Sequence, residues 1–150
     1  MSHPEDQTRQ DMEDVLKARV VPALRAAGFK GSFPHFHREE EDGSVDLVTV
    51  QGFSAGGSFF VEIGYADPTR GKVARVMAGA APGRLRVSGV RDRTRLGATD
   101  AEDRWFCYGR TTYGDLRGTP RPAHVIAEEV TALLAQEGEA WWASSRAADR

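Results

Sequence analysis

Two residue sets in this chain have the type and spacing to do chemistry together: His35 with His37, and Arg91 with Arg93 and Arg95. On an extended strand, side chains two positions apart leave by the same face, so each set presents its groups side by side. Two imidazoles on one face can share a metal ion. A zinc centre needs three or four ligands, with partners that orient the rings; His124, Cys107 or Glu39 could supply a third, yet no spacing demands it. Exposed strand histidines without a metal fit the pattern better, so the sequence assigns no metal and no cofactor. Three guanidinium forks in a row suit a phosphate, a carboxylate or an acidic partner protein. The plainer alternative is a solvated strand face paired with acids on a neighbouring strand. Arg84 and Arg86 extend this basic segment, and Asp92 is its local counter-charge.

Other candidates are weaker. Trp105, Phe106 and Tyr108 stand near the arginines, an arrangement that suits single-stranded nucleic acid, but aromatic strand residues usually build core and the chain has a net charge of −2. Nucleic acid is therefore disfavoured as a partner. Glu39-Glu40-Glu41-Asp42 sets four carboxylates at a turn. Acid–base catalysis needs carboxylates in contrasting environments, and a turn offers four similar, wet ones; docking to a basic partner is the other use. Cys107 lacks a nucleophile's signature and reads as a small buried thiol. The chain holds no phosphate loop, dinucleotide fingerprint, nucleophile elbow or zinc-protease helix motif.

Composition bounds these readings. With 150 residues, 40% hydrophobic and 28% charged, one domain with a sizeable core is expected. A single cysteine excludes an internal disulfide scaffold and accords with a reducing compartment. The first residues are acidic and polar, unlike a signal peptide, and no apolar run approaches a membrane span. A cytoplasmic protein is the expectation. Only three of the 20 basic residues are lysines, a bias that coding preference explains better than recognition does.

The elements that must position these groups are a sheet bracketed by helices. A first helix is expected from about Pro4, with Ser2 and Glu5 at capping-box spacing. Met12, Val15, Leu16, Val20, Ala23, Leu24 and Ala27 lie on its expected buried stripe, Pro22 should kink or break it near Val21, and Gly28 with Phe29 should close it. Strands follow around Phe36, over Val45 to Phe53 with apolar residues on both faces, and over Phe59 to Tyr65 with one strongly buried face. The turns are Asp42-Gly43-Ser44 and Ser54 to Gly57. A short helix is expected around Val73–Met77, a strand over Leu85–Val90 with a possible bulge at Gly89, and a last strand at Trp105–Tyr108. Pro120 and Pro122 suit the start of a second long helix. Its stripe is Ile126, Val130, Leu133, Leu134 and Trp141, and residues after Trp142 should fray.

Several of these segments recur in a known family. The helix ending LRAAGFK, the strand start Phe36-His37-Arg38-Glu39, the runs VTVQGF and FFVEIGY, and the pair Arg93-Thr94-Arg95-Leu96-Gly97 and Asp103-Arg104-Trp105-Phe106 resemble bacterial domain-of-unknown-function family 4304. The resemblance covers about residues 12–113 and implies a small α+β domain. It implies no activity and no site residues. The fold expected is α+β: a single antiparallel sheet of about five strands with an N-terminal and a C-terminal helix packed on one face. Such a sheet leaves its other face partly open. The function expected is a non-catalytic binding module whose open face, carrying Arg91, Arg93, Arg95, His35 and His37, contacts a protein or small anionic ligand. The alternative is a small metal-dependent hydrolase built on His35 and His37. Oligomeric state and strand order are not readable from the sequence.

Overall fold

The computed structural model describes residues 3–68, 81–97, 104–112 and 117–149. The first long helix, α1, spans Arg9–Ala26. It starts later than expected because a different box caps it. The Thr8 hydroxyl accepts from the Asp11 amide at 3.1 Å, and the Thr8 amide donates to the Asp11 carboxylate at 2.9 Å, which satisfies two otherwise orphaned groups. Pro4–Asp6 ahead of it is a separate 3-10 turn. The helix also runs through Pro22 without the expected break. Pro22 and Ala18 are both exposed, so water can take the carbonyl bond that the proline cannot make. The C-terminus closes as the sequence indicates. Gly28 is left-handed at φ 97°, its amide donates to the Arg25 carbonyl at 3.0 Å, and the Phe29 amide reaches back to Leu24 at 2.9 Å. That is the paired-bond glycine ending, and Phe29 is buried beside Leu24.

The sheet is an antiparallel meander: β1 (Lys30–Ser32), β2 (His35–Glu39), β3 (Val45–Gln51), β4 (Ser58–Ala66) and β5 (Asp92–Arg95) lie side by side in chain order. A short β6 (Phe106–Cys107) pairs with the start of β4. β1 and β2 form a tight hairpin where one strand was expected; the peptide between Phe33 and Pro34 is cis. One face carries Phe36, Val48, Val50, Phe59, Val61, Ile63 and Tyr65 into the main core beneath α1 and the C-terminal helices. The opposite face carries Val45, Leu47 and Ala66 under Leu85, Val87 and Val90.

That second cover corrects the expected strand at Leu85–Val90. The segment forms two 3-10 turns, Pro82–Arg84 and Val87–Gly89, and there is no bulge at Gly89. It lies across the sheet as a cap, because its apolar side chains at 85, 87 and 90 are spaced to reach down from turns. Gly64 in β4 makes the approach possible: a Cβ there would stand 2.9 Å from a Val90 methyl. The expected strand at Trp105–Tyr108 pairs only at Phe106 and Cys107. The expected short helix at 73–77 lies outside the described residues.

The C-terminal segment is helical from α2 (Ala123–Leu133) through a π-helical turn at Leu134–Gly138 into α3 (Glu139–Ala148). Gln7 caps α2 from across the chain: its side-chain oxygen accepts from the Ala123 amide at 2.9 Å, and its nitrogen donates to the Tyr108 and Arg121 carbonyls. The π turn inserts one residue into the helical register. The buried stripe Ile126, Val130, Leu134 is therefore continued by Trp142, and the expected Trp141 is only partly buried. Trp142 donates its indole N–H to the Gly64 carbonyl at 2.9 Å. Residues 143–148, expected to fray, are helical. No described helix is long and apolar enough to cross a membrane.

Candidate binding face and buried charge network

Register decides what the second sheet face can present. His35 pairs with Thr49, Thr49 with Glu62, and Glu62 with Arg95, a straight row across four strands. His37, Leu47, Gly64 and Arg93 form the next row. Both histidines and two of the arginines singled out from the sequence thus share one face. At roughly 4.8 Å per strand the row from His35 to Arg95 is about 14 Å long. The third arginine departs from the expectation: Arg91 precedes β5, so the three do not form one strand stripe.

The row ends in an aromatic corner. The Arg95 guanidinium lies 3.7 Å from the Phe60 ring centre and 5.0 Å from that of Trp105, and Arg117 lies 3.2 Å from Trp105 on the same cluster. Phe60 and Trp105 meet edge to face at 5.0 Å. Both rest on Gly52, left-handed at φ 95°, where a Cβ would come within 2.9 Å of each ring. Glu62 sits between, receiving the Gln51 amide at 3.3 Å and standing 3.8 Å from Arg93. Of the aromatic group considered for nucleic acid, Phe106 and Tyr108 are fully buried core and only Trp105 reaches this face.

His35 supplies a hydrogen bond on this face. His35 shares a 3.1 Å bond between Nδ1 and the Thr49 hydroxyl. Burial first, and then Arg86, lowers its pKa. His37 lies against the turn at Gly83; burial, Lys30 and Arg86 lower its pKa against the opposing pull of Glu39. For both rings the shift favours the neutral form. Among the described residues, no three His, Cys, Asp or Glu side chains are grouped to hold a metal ion. Cys107 is buried, its thiol 3.3 Å from the Gly109 carbonyl, and burial pushes its pKa up.

The helix face hides a polar cluster that the sequence reading passed over. Arg38 donates to Asp46 at 2.9 and 3.1 Å, to Glu139 at 2.7 Å through both terminal nitrogens, and to the Ala27 carbonyl at 3.0 Å. Its plane also covers Phe29 and Trp142, at 4.5 and 5.3 Å. Arg146 of α3 grips the other Asp46 oxygen at 2.6 Å and the Ser44 hydroxyl at 3.0 Å. Glu40 stands 3.0 Å from Arg38, so the acidic turn is not uniformly solvated; Asp42 accepts from the Ser44 amide and hydroxyl. The signal available was Asp46 itself, an acid between Val45 and Leu47 in a strand apolar on both faces. The cluster ties the end of α1, the sheet and α3 together.

The family model described as Domain of unknown function (DUF4304) matches residues 20–112. The chain belongs to this family. No curated protein and no solved structure matches it. The DUF4304 match encloses the whole row from His35 to Arg95 and the Phe60–Trp105 corner. Glu139 and Arg146, the helical half of the buried network, lie beyond it.

Proposed function

We propose that this chain is a non-catalytic binding module, and that it recognises an acidic protein or small anionic ligand through the sheet face turned away from α1. The observation that carries the reading is the row His35, Thr49, Glu62, Arg95 ending on the Phe60–Trp105 corner. It combines neutral hydrogen-bonding groups, fixed guanidinium planes and partly buried aromatic surface, the composition that favours recognition. Among the described residues, the exposed Arg86 and Arg93 add basic groups to this face in a chain whose net charge is −2. A basic patch on an acidic molecule selects acidic partners by steering and by repelling others. The buried lone thiol accords with a cytoplasmic location.

Binding of fluorescent poly-L-glutamate, followed by anisotropy, tests this. Arg93 is exposed and its pair with Glu62 is long, so Arg93→Glu should fold normally. The expected result is affinity lowered by about tenfold or more for Arg93→Glu, with Arg19→Glu on the exposed side of α1 binding like the parent. Equal affinity in the parent and Arg93→Glu, or an equal loss in both variants, overturns the proposal.

A further inference from the structure

The β1 edge of the same face gathers four groups that carry positive charge or can take it up. His35 and His37 leave β2 by this face, and Lys30, the register partner of His37, leaves β1 beside it. Arg86 comes from the cap. Its guanidinium donates to the Gly83 carbonyl at 2.8 Å, and a Cβ on Gly83 would stand 3.3 Å from the His37 ring. One turn residue thus brings guanidinium and imidazole to the same spot. A cleft of about 510 Å³ opens there, with Lys30, His37, Pro82 and Gly83 in its walls. The histidines are half-buried, and Lys30 and Arg86 are exposed.

The local bonds accommodate a proton on either ring. The Thr49 hydroxyl, 3.1 Å from His35 Nδ1, can accept as well as donate. A protonated His35 therefore keeps this bond and still offers its Nε2 proton to a ligand. Arg86 acts on both rings, Lys30 and Arg25 on His37, and Glu39 opposes them there. Glu40 and Glu41 also line the cleft, and Glu40 stands 3.0 Å from Arg38 and 3.8 Å from Arg146. In the free protein, burial and the neighbouring cations disfavour protonation of both rings. Carboxylates bound beside Lys30 and Arg86 offset those cations and reverse the effect.

We propose that recognition at this face is proton-linked: an acidic protein segment that sets carboxylates among Lys30, His35, His37 and Arg86 binds with uptake of protons by the two histidines. A ligand that raises the proton affinity of a group is itself held more tightly where protons are available. The free rings titrate below the usual 6.5. Affinity therefore rises as pH falls from about 8 to about 6, and levels off once the free rings are charged too. The proposal rests on the binding-module reading and adds its regulation by pH.

Anisotropy of fluorescent poly-L-glutamate, which stays ionised between about pH 6 and 8, tests the link. Affinity for the parent should rise by about fivefold or more across this range. The double variant His35→Gln, His37→Gln should show one affinity throughout. In the parent, the imidazole resonances of both histidines should titrate at higher pH with the peptide than without it, a readout that needs no variant. Parent binding that ignores pH, or imidazole titrations that the peptide leaves unmoved or lowers, overturns the proton link while the binding-module reading stands. The same rise in the double variant also overturns it, because other groups then carry the titration. Absence of binding at every pH overturns both.

Discussion

Asp46 has no solvent exposure, yet it holds a charge-bearing group between two arginines. Burial pushes its pKa up, the neighbouring Glu40 carboxyl adds to this, and Arg38 and Arg146 oppose, leaving it at about 7. Carboxylates outnumber guanidiniums in the cluster, so retention of a proton is the direction expected. An unfolded aspartate titrates near 3.9, so folding binds a proton between these values. The stabilising contribution is complete below about pH 4 and is lost as pH rises through about 7. His35 and His37 work the other way: their lowered pKa values give stability present above about 6.5 and lost below. Asp46→Asn isolates the first effect. Between pH 5 and 8 the melting temperature of Asp46→Asn should improve steadily relative to the parent. A gap that stays constant across this range would mean that the arginines hold Asp46 ionised, its titration complete below pH 5. Nothing in the sequence pairs Asp46 with Arg146, one hundred residues away, because such a pairing exists only once α3 is docked.

At the scale of elements, what was legible followed local rules, and what was not followed tertiary ones. The glycine ending of α1, the Asp42-Gly43-Ser44 turn and the two apolar faces of β3 rest on a few neighbouring residues and stand as read, although β3 ends at Gln51 because Gly52 turns left-handed and Phe53 opens a 3-10 turn. The strand reading of Leu85–Val90 failed because an apolar residue at 85, 87 and 90 serves a capping turn as well as a strand. The Trp141 reading failed because one inserted residue at Leu134–Gly138 leaves no mark in spacing until the partner surface is known. The cap makes its own prediction. Gly64→Ala places a methyl against Val90 and Val87, and overpacking of this kind costs about 1–3 kcal/mol. Urea unfolding should show that loss, together with faster amide exchange over residues 85–90. Unchanged stability would mean that the cap shifts freely and does not rest on β4.

For the whole molecule, the fold matches the expected α+β plan, with both long helical segments on one side of an antiparallel sheet. The site depended on strand order, which the sequence left open. Histidines at 35 and 37 and arginines at 93 and 95 come to lie on one face of the sheet only because four strands pair in simple succession and in this register, with Leu47 and Gly64 between them covered by the cap. That surface is the centre of the functional reading, and nuclear magnetic resonance of the 15N-labelled protein tests it most directly. On titration with poly-L-glutamate, the amides of His35, Thr49, Glu62, Arg93 and Arg95 should shift together and saturate, while those of Asp14 and Ala18 on the outer side of α1 stay in place. Shifts centred on α1, or no shifts at saturating peptide, would contradict the account.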